Sequence, residues 1–247
     1  MSEIDIERFA RHIVLKEIGG PGQQALARTR VFITGAGGLG APAALYLAAA
    51  GVGRLTITDP DTVSLDNLQR QILYRTDEVG QPKVERAKAA LTSLNPGTTI
   101  DAKQVALTPE NARELIAGHD LVLDGTDDFA TRFAVNDACL AEGIPLVSGA
   151  VGRWDGQVGL FAARPEAPCY RCLVPAIPPD AETCARVGIV GALTGVIGSL
   201  MALEAIKHIT GAGETLDGRL LIFDGLTAES RTLRLARDPA CPACAPR

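Results

Sequence analysis

A chain of 247 residues, 47% hydrophobic and 21% charged, has the composition of a soluble protein with a sizeable core, and the length for one large α/β domain or at most two small ones. Its formal net charge is −5 and no long basic run occurs, which argues against a duplex nucleic acid partner. Aromatics make up only 4% while Gly (26) and Ala are plentiful, a composition suited to helices packed tightly on a sheet.

The N-terminus, Met1-Ser-Glu-Ile-Asp-Ile-Glu-Arg-Phe, carries charges throughout and no apolar signal-peptide core. Residues 5–17 read as a helix, followed by a turn at Gly19-Gly20-Pro21-Gly22 and a short helical stretch. Val31–Thr34 reads as a strand that stops at Gly35-Ala-Gly-Gly-Leu-Gly40. Ala41–Ala50 then reads as a helix and Leu55–Thr58 as the next strand, a βαβ unit. Residues 82–94 form an amphipathic helix ended by Asn95-Pro96-Gly97. A strand at Thr99–Val105, a helix at 109–117, a strand at 121–123, a helix at 129–142 and a strand at 146–148 continue the alternation. Trp154-Asp155-Gly156-Gln157 reads as a hairpin turn, because Asp-Gly tolerates positive φ.

Residues 164–186 are rich in Pro, Ala and Glu and read as a mobile crossover loop. Val187–Leu203 holds no charge, but it is glycine-rich, slightly short for a bilayer and runs into Glu204 and Lys207. It reads as a buried or interfacial helix, 188–210, and not as a membrane span. Gly188, Gly191, Gly195 and Gly198 would line one face of it, packed against another element such as a dimer mate. Strands near 219–224 and 231–235 close the chain. The expected fold is α/β: a Rossmann-like, doubly wound, mostly parallel sheet extended by antiparallel strands.

Gly35-x-Gly37-x-x-Gly40 lies between a strand and a helix. The first glycine allows the tight turn, the second a close approach to phosphate, and the third the closure of helix on strand. Helix N–H groups and the positive end of the dipole then face an anion. Asp59 ends the next strand, placed to accept hydrogen bonds from ribose hydroxyls. Alone, this fingerprint fits NAD or FAD first, with a ligand-free glycine turn as the bland alternative. Asn67, Arg70 and Lys83 follow closely, and that many cations suit a triphosphate about to be split better than a pyrophosphate. Asp124, Asp127 and Asp128 lie at the carboxyl end of a strand, where ligands gather in open α/β sheets. Asp127 is read as the Mg²⁺-facing acid and Asp128 as a helix cap.

Six cysteines without a signal peptide point to a reducing compartment, with metal binding or catalysis ahead of disulfides. The expected location is the cytoplasm. Cys169-x-x-Cys172 and Cys241-x-x-Cys244 match a closed structural zinc site of four thiolates. Redox-active pairs and unrelated thiols are the competing readings. Cys139 reads as a core residue. His12, His119 and His208 show no ligand spacing.

Together these residues resemble the ThiF/MoeB/HesA family, bacterial relatives of ubiquitin-activating enzymes. The matching pieces are Arg8-x-x-Arg11, Gly35-Ala-Gly-Gly-Leu-Gly40, Asp59-x-Asp61-x-Val-x-Leu-x-Asn67-Leu-Gln-Arg70-Gln71, Gly80-x-Pro82-Lys83, Asp124-x-Thr-Asp127, Cys169-Tyr-Arg-Cys172 and the terminal C-x-x-C. Gly125 departs from the pattern, since many relatives have Cys there. The resemblance implies ATP-dependent adenylation of the C-terminal Gly-Gly carboxylate of a ubiquitin-like sulfur-carrier protein, in molybdopterin cofactor or thiamine biosynthesis. It implies Gly37 and Gly38 on phosphate, Asp59 on ribose, Asn67, Arg70 and Lys83 on the triphosphate, and Asp127 acting through Mg²⁺.

The resemblance further implies a homodimer, with Arg11 reaching across to the partner's ATP, and zinc as a structural metal. One domain over 1–247 is expected, with a nucleotide-binding part at about 1–150 and a carrier-binding and zinc part at about 151–247. Cys184 matches the place where thiamine-type members link covalently to the carrier, with a bystander thiol as the alternative. No sulfurtransferase domain follows, so a separate sulfur donor is expected. An NAD-dependent oxidoreductase explains Gly35–Gly40 and Asp59 but leaves Asn67, Arg70, Lys83, Asp127 and the cysteines without a role. A non-catalytic scaffold for a ubiquitin-like partner is a second alternative, and a tRNA-modifying branch that also adenylates is a third.

Overall fold

The computed structural model describes residues 5–177 and 188–245. One eight-stranded sheet forms the centre, in the order β3-β2-β1-β4-β5-β6-β7-β8. The parallel part comprises β1 (Arg30–Thr34), β2 (Arg54–Thr58), β3 (Thr99–Lys103), β4 (Leu121–Asp124) and β5 (Leu146–Val151). The antiparallel extension is β6 (Asp155–Phe161), β7 (Arg219–Asp224) and β8 (Glu229–Arg234). Both halves agree with the reading from sequence.

Burial on both faces explains the apolar runs in the parallel strands. In β1, Val31 and Ile33 enter one core cluster with Leu47, Leu55 and Ile197. Phe32 points to the other face and joins Ile116, Val122, Val135 and Leu146. The order reverses between β1 and β4, and the carboxyl ends of these strands open there onto a crevice.

The helices are α1 (Ile6–Ile13), α2 (Gly19–Arg28), α3 (Gly40–Ala49), α4 (Lys83–Leu94), α5 (Ala112–Ile116), α6 (Phe129–Glu142), the single turn α7 (Tyr170–Leu173) and α8 (Gly191–Thr210). The expected turn at Gly19–Gly22 is instead the start of α2. Pro21 is tolerated in its first turn, where the missing N–H had no partner to lose. α1 ends four residues earlier than expected. Within the expected crossover loop, the described residues include α7.

Two further expectations are corrected by close approach. Asp155, Gly156 and Gln157 lie inside β6, and the hairpin turns at Gly152-Arg153-Trp154. Gly156 serves packing, since a Cβ there would lie 2.4 Å from the Ile197 side chain. The glycine face of α8 also meets its own chain. A Cβ at Gly191 would lie 2.0 Å from the Gln69 carbonyl, and one at Gly198 2.5 Å from the Leu39 carbonyl. Gly195 faces open space and Gly188 precedes the helix. α8 is long and apolar enough to cross a membrane, but Leu193, Ile197, Met201 and Ala205 are buried against the sheet and α3.

Candidate active site: a glycine-loop cleft and a four-cysteine cluster

A cleft of about 540 Å³ opens at the switch point. Gly35, Gly37 and Gly38 line it from one side, Asp59, Asn67, Arg70 and Lys83 from another, and Asp127 at the loop after β4. Eight of the residues singled out from the sequence therefore share one cavity.

The glycine loop follows from local geometry. Gly35 adopts φ +84°, a conformation that favours glycine, and its N–H donates to the Thr58 carbonyl at 2.8 Å. Gly40 lies beneath the loop and does not line the cleft. A Cβ there would lie 1.8 Å from the Gly35 carbonyl oxygen, so only glycine lets α3 begin there. The N–H groups of Gly37, Gly38 and Leu39 have no hydrogen-bond partner among the described residues. With the start of α3 behind them, they form an anion cradle.

Asp59 is 5% exposed and spends its carboxylate on the loop. Oδ2 accepts from the Ala36 N–H at 2.8 Å and Oδ1 from the Asp61 N–H at 2.9 Å. Burial pushes this carboxyl above the usual range, opposed first by Lys83 and then by those N–H groups. Lys83 is buried, with Nζ 2.9 Å from Asp61 Oδ2 and 3.9 Å from Asp59 Oδ1. Arg70 and Asn67 are hydrogen-bonded to each other, and Arg70 also donates to the Asp66 carbonyl at 3.2 Å.

The acids after β4 divide their roles. Asp124 is fully buried and accepts from the N–H and hydroxyl of Thr126 at 3.0 and 2.7 Å, which curls the loop. Asp128 caps α6 by accepting from the Thr131 N–H at 2.8 Å. Asp127 is left exposed on the cleft. Beside a triphosphate and water, one such carboxylate is an ordinary donor for Mg²⁺.

Among the cleft residues, Arg132 and Thr58 escaped the sequence reading, and Gln71 entered it only as part of a family motif. Arg132 on α6, 5% exposed, donates to the carbonyls of Thr126 and Gly149 and so holds the loop that carries Asp127. Burial acts to lower its guanidinium, but Asp124, Tyr170 and Asp127 together outweigh that and hold it above its ordinary value. The only signal was a charge among Phe133, Ala134 and Val135 on a helix. Thr58 Oγ1 and Gln71 Oε1 are buried, line the cleft and have no partner among the described residues. Such atoms are open to water or to polar groups on a ligand.

Behind the cleft, the four Sγ atoms of Cys169, Cys172, Cys241 and Cys244 lie within 4.8 Å of one another. The separations of 4.0, 3.6 and 3.5 Å approach the ~3.8 Å edge of a tetrahedral zinc–thiolate site. The Asp238 N–H donates to Cys172 Sγ at 3.4 Å, a contact that orients this sulfur. The donor set fits a structural zinc. Asn136 Oδ1 accepts from the Tyr170 N–H at 2.9 Å and ties this cluster to α6.

Arg11 is exposed on α1 and does not line the cleft of its own chain. Cys139 is buried among apolar groups. Cys184 lies outside the described residues.

A doubly wound sheet with an anion cradle, a cation-rich cleft and a four-cysteine cluster defines a nucleotide-using α/β enzyme. The chain belongs to the ThiF family, whose model matches residues 9–243. It is 46% identical over 246 residues to the sulfur carrier protein adenylyltransferase of Thermus thermophilus, covering 97% of this chain and 91% of that one. It is 46% identical over 244 residues to the molybdopterin-synthase adenylyltransferase of Escherichia coli, covering 99% and 98%. The crystal structure of E. coli MccB with MccA-N7isoASN shares the fold, with a TM-score of 0.87 at 20% identity over 99% of this chain and 76% of that one.

Proposed function

We propose that the protein uses ATP to adenylate the C-terminal Gly-Gly carboxylate of a ubiquitin-like sulfur-carrier protein, releasing pyrophosphate, in molybdopterin cofactor or thiamine biosynthesis. The observation that carries this reading is the single cleft that combines free glycine-loop N–H groups with Asp59, Asn67, Arg70, Lys83 and Asp127. The relatives' names, adenylyltransferases of a sulfur carrier protein and of molybdopterin synthase, support it.

The chemistry follows from electrostatics. The attacking carboxylate is already ionised, so no strong general base is required. Repulsion between two anions is the obstacle, and cations preorganised away from water lower it. In this reading Gly37 and Gly38 hold phosphate, Asp59 holds ribose, and Arg70 and Lys83 neutralise the triphosphate. Asn67 is already bonded to Arg70, and the triphosphate takes up that pair. Mg²⁺ would be held by Asp127 and would neutralise charge on the phosphates. Arg11, exposed on α1, completes the site of a second copy in a homodimer.

Zinc held by Cys169, Cys172, Cys241 and Cys244 is structural, because four sulfur ligands leave no open position. The division into a nucleotide-binding part at about 1–150 and a carrier-binding part beyond it belongs to the same reading, as do a separate sulfur donor and a cytoplasmic setting.

ATP–pyrophosphate exchange with Mg²⁺ and carriers ending in Gly-Gly tests it, with tail-deleted carriers as controls. Exchange that needs the intact tail is the expected result, and the carrier that supports it names the pathway. No exchange with any carrier, alongside tight NAD binding, would replace this reading with a dehydrogenase.

A further inference from the structure

We propose that Tyr74 is a positioning residue that locks the Ala36–Gly37 peptide with its N–H turned toward the phosphates, an inference that rests on the ATP reading above. Ala36 is 2% exposed and has both backbone polar groups engaged. Its N–H donates to Asp59 Oδ2 at 2.8 Å, and its carbonyl accepts from the Tyr74 hydroxyl at 2.7 Å. No other group among the described residues hydrogen-bonds to that carbonyl.

A trans peptide is planar, with its C=O and N–H directed to opposite sides. The Tyr74 hydroxyl holds the Ala36 oxygen on the buried side, so the Gly37 N–H faces away from it, and Gly37 lines the cleft. Rotating that peptide would exchange a donor for an acceptor in front of the triphosphate. The loop is prone to this rotation because Gly35 and Gly37 flank Ala36, and glycine permits conformations that side chains forbid. Close approach to phosphate demands those glycines, and Tyr74 restores the orientation that they leave loose.

Tyr74 is suited to the task. It is 6% exposed, packed in the main core cluster, and lies 38 residues from Ala36 in sequence. Its hydroxyl carries one proton and spends it on Ala36. Burial, reinforced by the neighbouring Asp59 and Glu78 carboxylates, pushes the phenol far up, so it stays a donor throughout the working pH range.

Tyr74→Phe removes only the oxygen. ATP–pyrophosphate exchange on the full chain, with an intact carrier, reads its effect. The KM for ATP should rise about ten-fold, the loss expected for one buried hydrogen bond. The maximal rate and the carrier KM should stay within about two-fold, since the lock acts on the phosphate cradle alone. Calorimetry should show the same loss for ATP and none for adenosine, which has no phosphate. An ATP KM within about two-fold of wild type in the folded variant would overturn the proposal. Equal losses for ATP and adenosine, or a fall in maximal rate and carrier affinity together, would also overturn it, because they describe general loosening. A wild-type protein that shows no exchange removes the ATP reading and this inference with it; exchange unaltered by the variant removes only the role of Tyr74.

Discussion

Lys83→Met separates two jobs that one side chain holds. The ammonium sits 3.9 Å from Asp59 Oδ1 with its side chain only 4% exposed. At an effective dielectric of about 20, that attraction is about 4 kcal/mol before desolvation is counted. Methionine keeps the apolar stem and removes the cost of burying a charge, which offsets part of the loss. Asp59 also keeps the N–H groups of Ala36 and Asp61. The pair with Asp61, whose side chain is 63% exposed, contributes little. The expected net destabilisation is about 1–3 kcal/mol near neutral pH.

Its pH dependence carries the sharper test. Asp59 already has a folded-state pKa above the usual carboxylate range, so the unfolded chain releases this proton first. The folded protein therefore loses stability as pH rises from that range through the folded value. Lys83 opposes this shift, and its removal drives the folded value higher and widens the window. The penalty of Lys83→Met should be smallest below about pH 4, grow with pH, and level off above the new folded value. Urea unfolding of both proteins at several pH values from about 4 to 8 measures it. A penalty that is constant across the range, or larger at the acid end, would refute the reasoning.

Arg70→Ala and Asp127→Ala should act on chemistry instead. Arg70 is half-buried and Asp127 exposed, so unfolding midpoints should shift little, while carrier-dependent exchange should fall about 100-fold or more. Near wild-type rates in either variant would remove that residue from the mechanism. Elemental analysis of the purified chain should find one zinc per protein, and Cys172→Ser should lose the metal and lower the unfolding midpoint by several degrees. A fully metal-free protein with an unchanged midpoint would show the cluster to be unrelated thiols.

The parallel half of the sheet was legible because each strand is short, apolar and punctuated, and because burial on both faces leaves one reading for Val31-Phe-Ile. Glycines misled where their purpose was tertiary. Gly156 after Asp155 has the pattern of a turn, yet what it answers is the Ile197 side chain, which no local pattern announces. Gly191 and Gly198 were expected to pack against another element such as a dimer mate, and that element is the same chain's backbone at Gln69 and Leu39.

The candidate site divided in the same way. Residues that would face a ligand through chemistry could be singled out and are brought together, since a Gly-rich loop, an acid at a strand end and paired C-x-x-C knuckles carry their candidate chemistry in their spacing. Residues that hold those groups could not. Arg132 reaches Thr126 and Gly149 across the base of the cleft, and Tyr74 reaches Ala36 from 38 residues away. Neither contact leaves a periodicity behind. A loop built from glycine for access must borrow its rigidity from distant side chains, and sequence spacing cannot name the lender. Asp59 is the exception. The carboxylate that marks a ribose site also holds the Ala36 N–H, so the residue found for its expected ligand is equally part of the cradle's frame. Its substitution should therefore disturb phosphate and ribose together, whereas Tyr74→Phe should disturb phosphate alone.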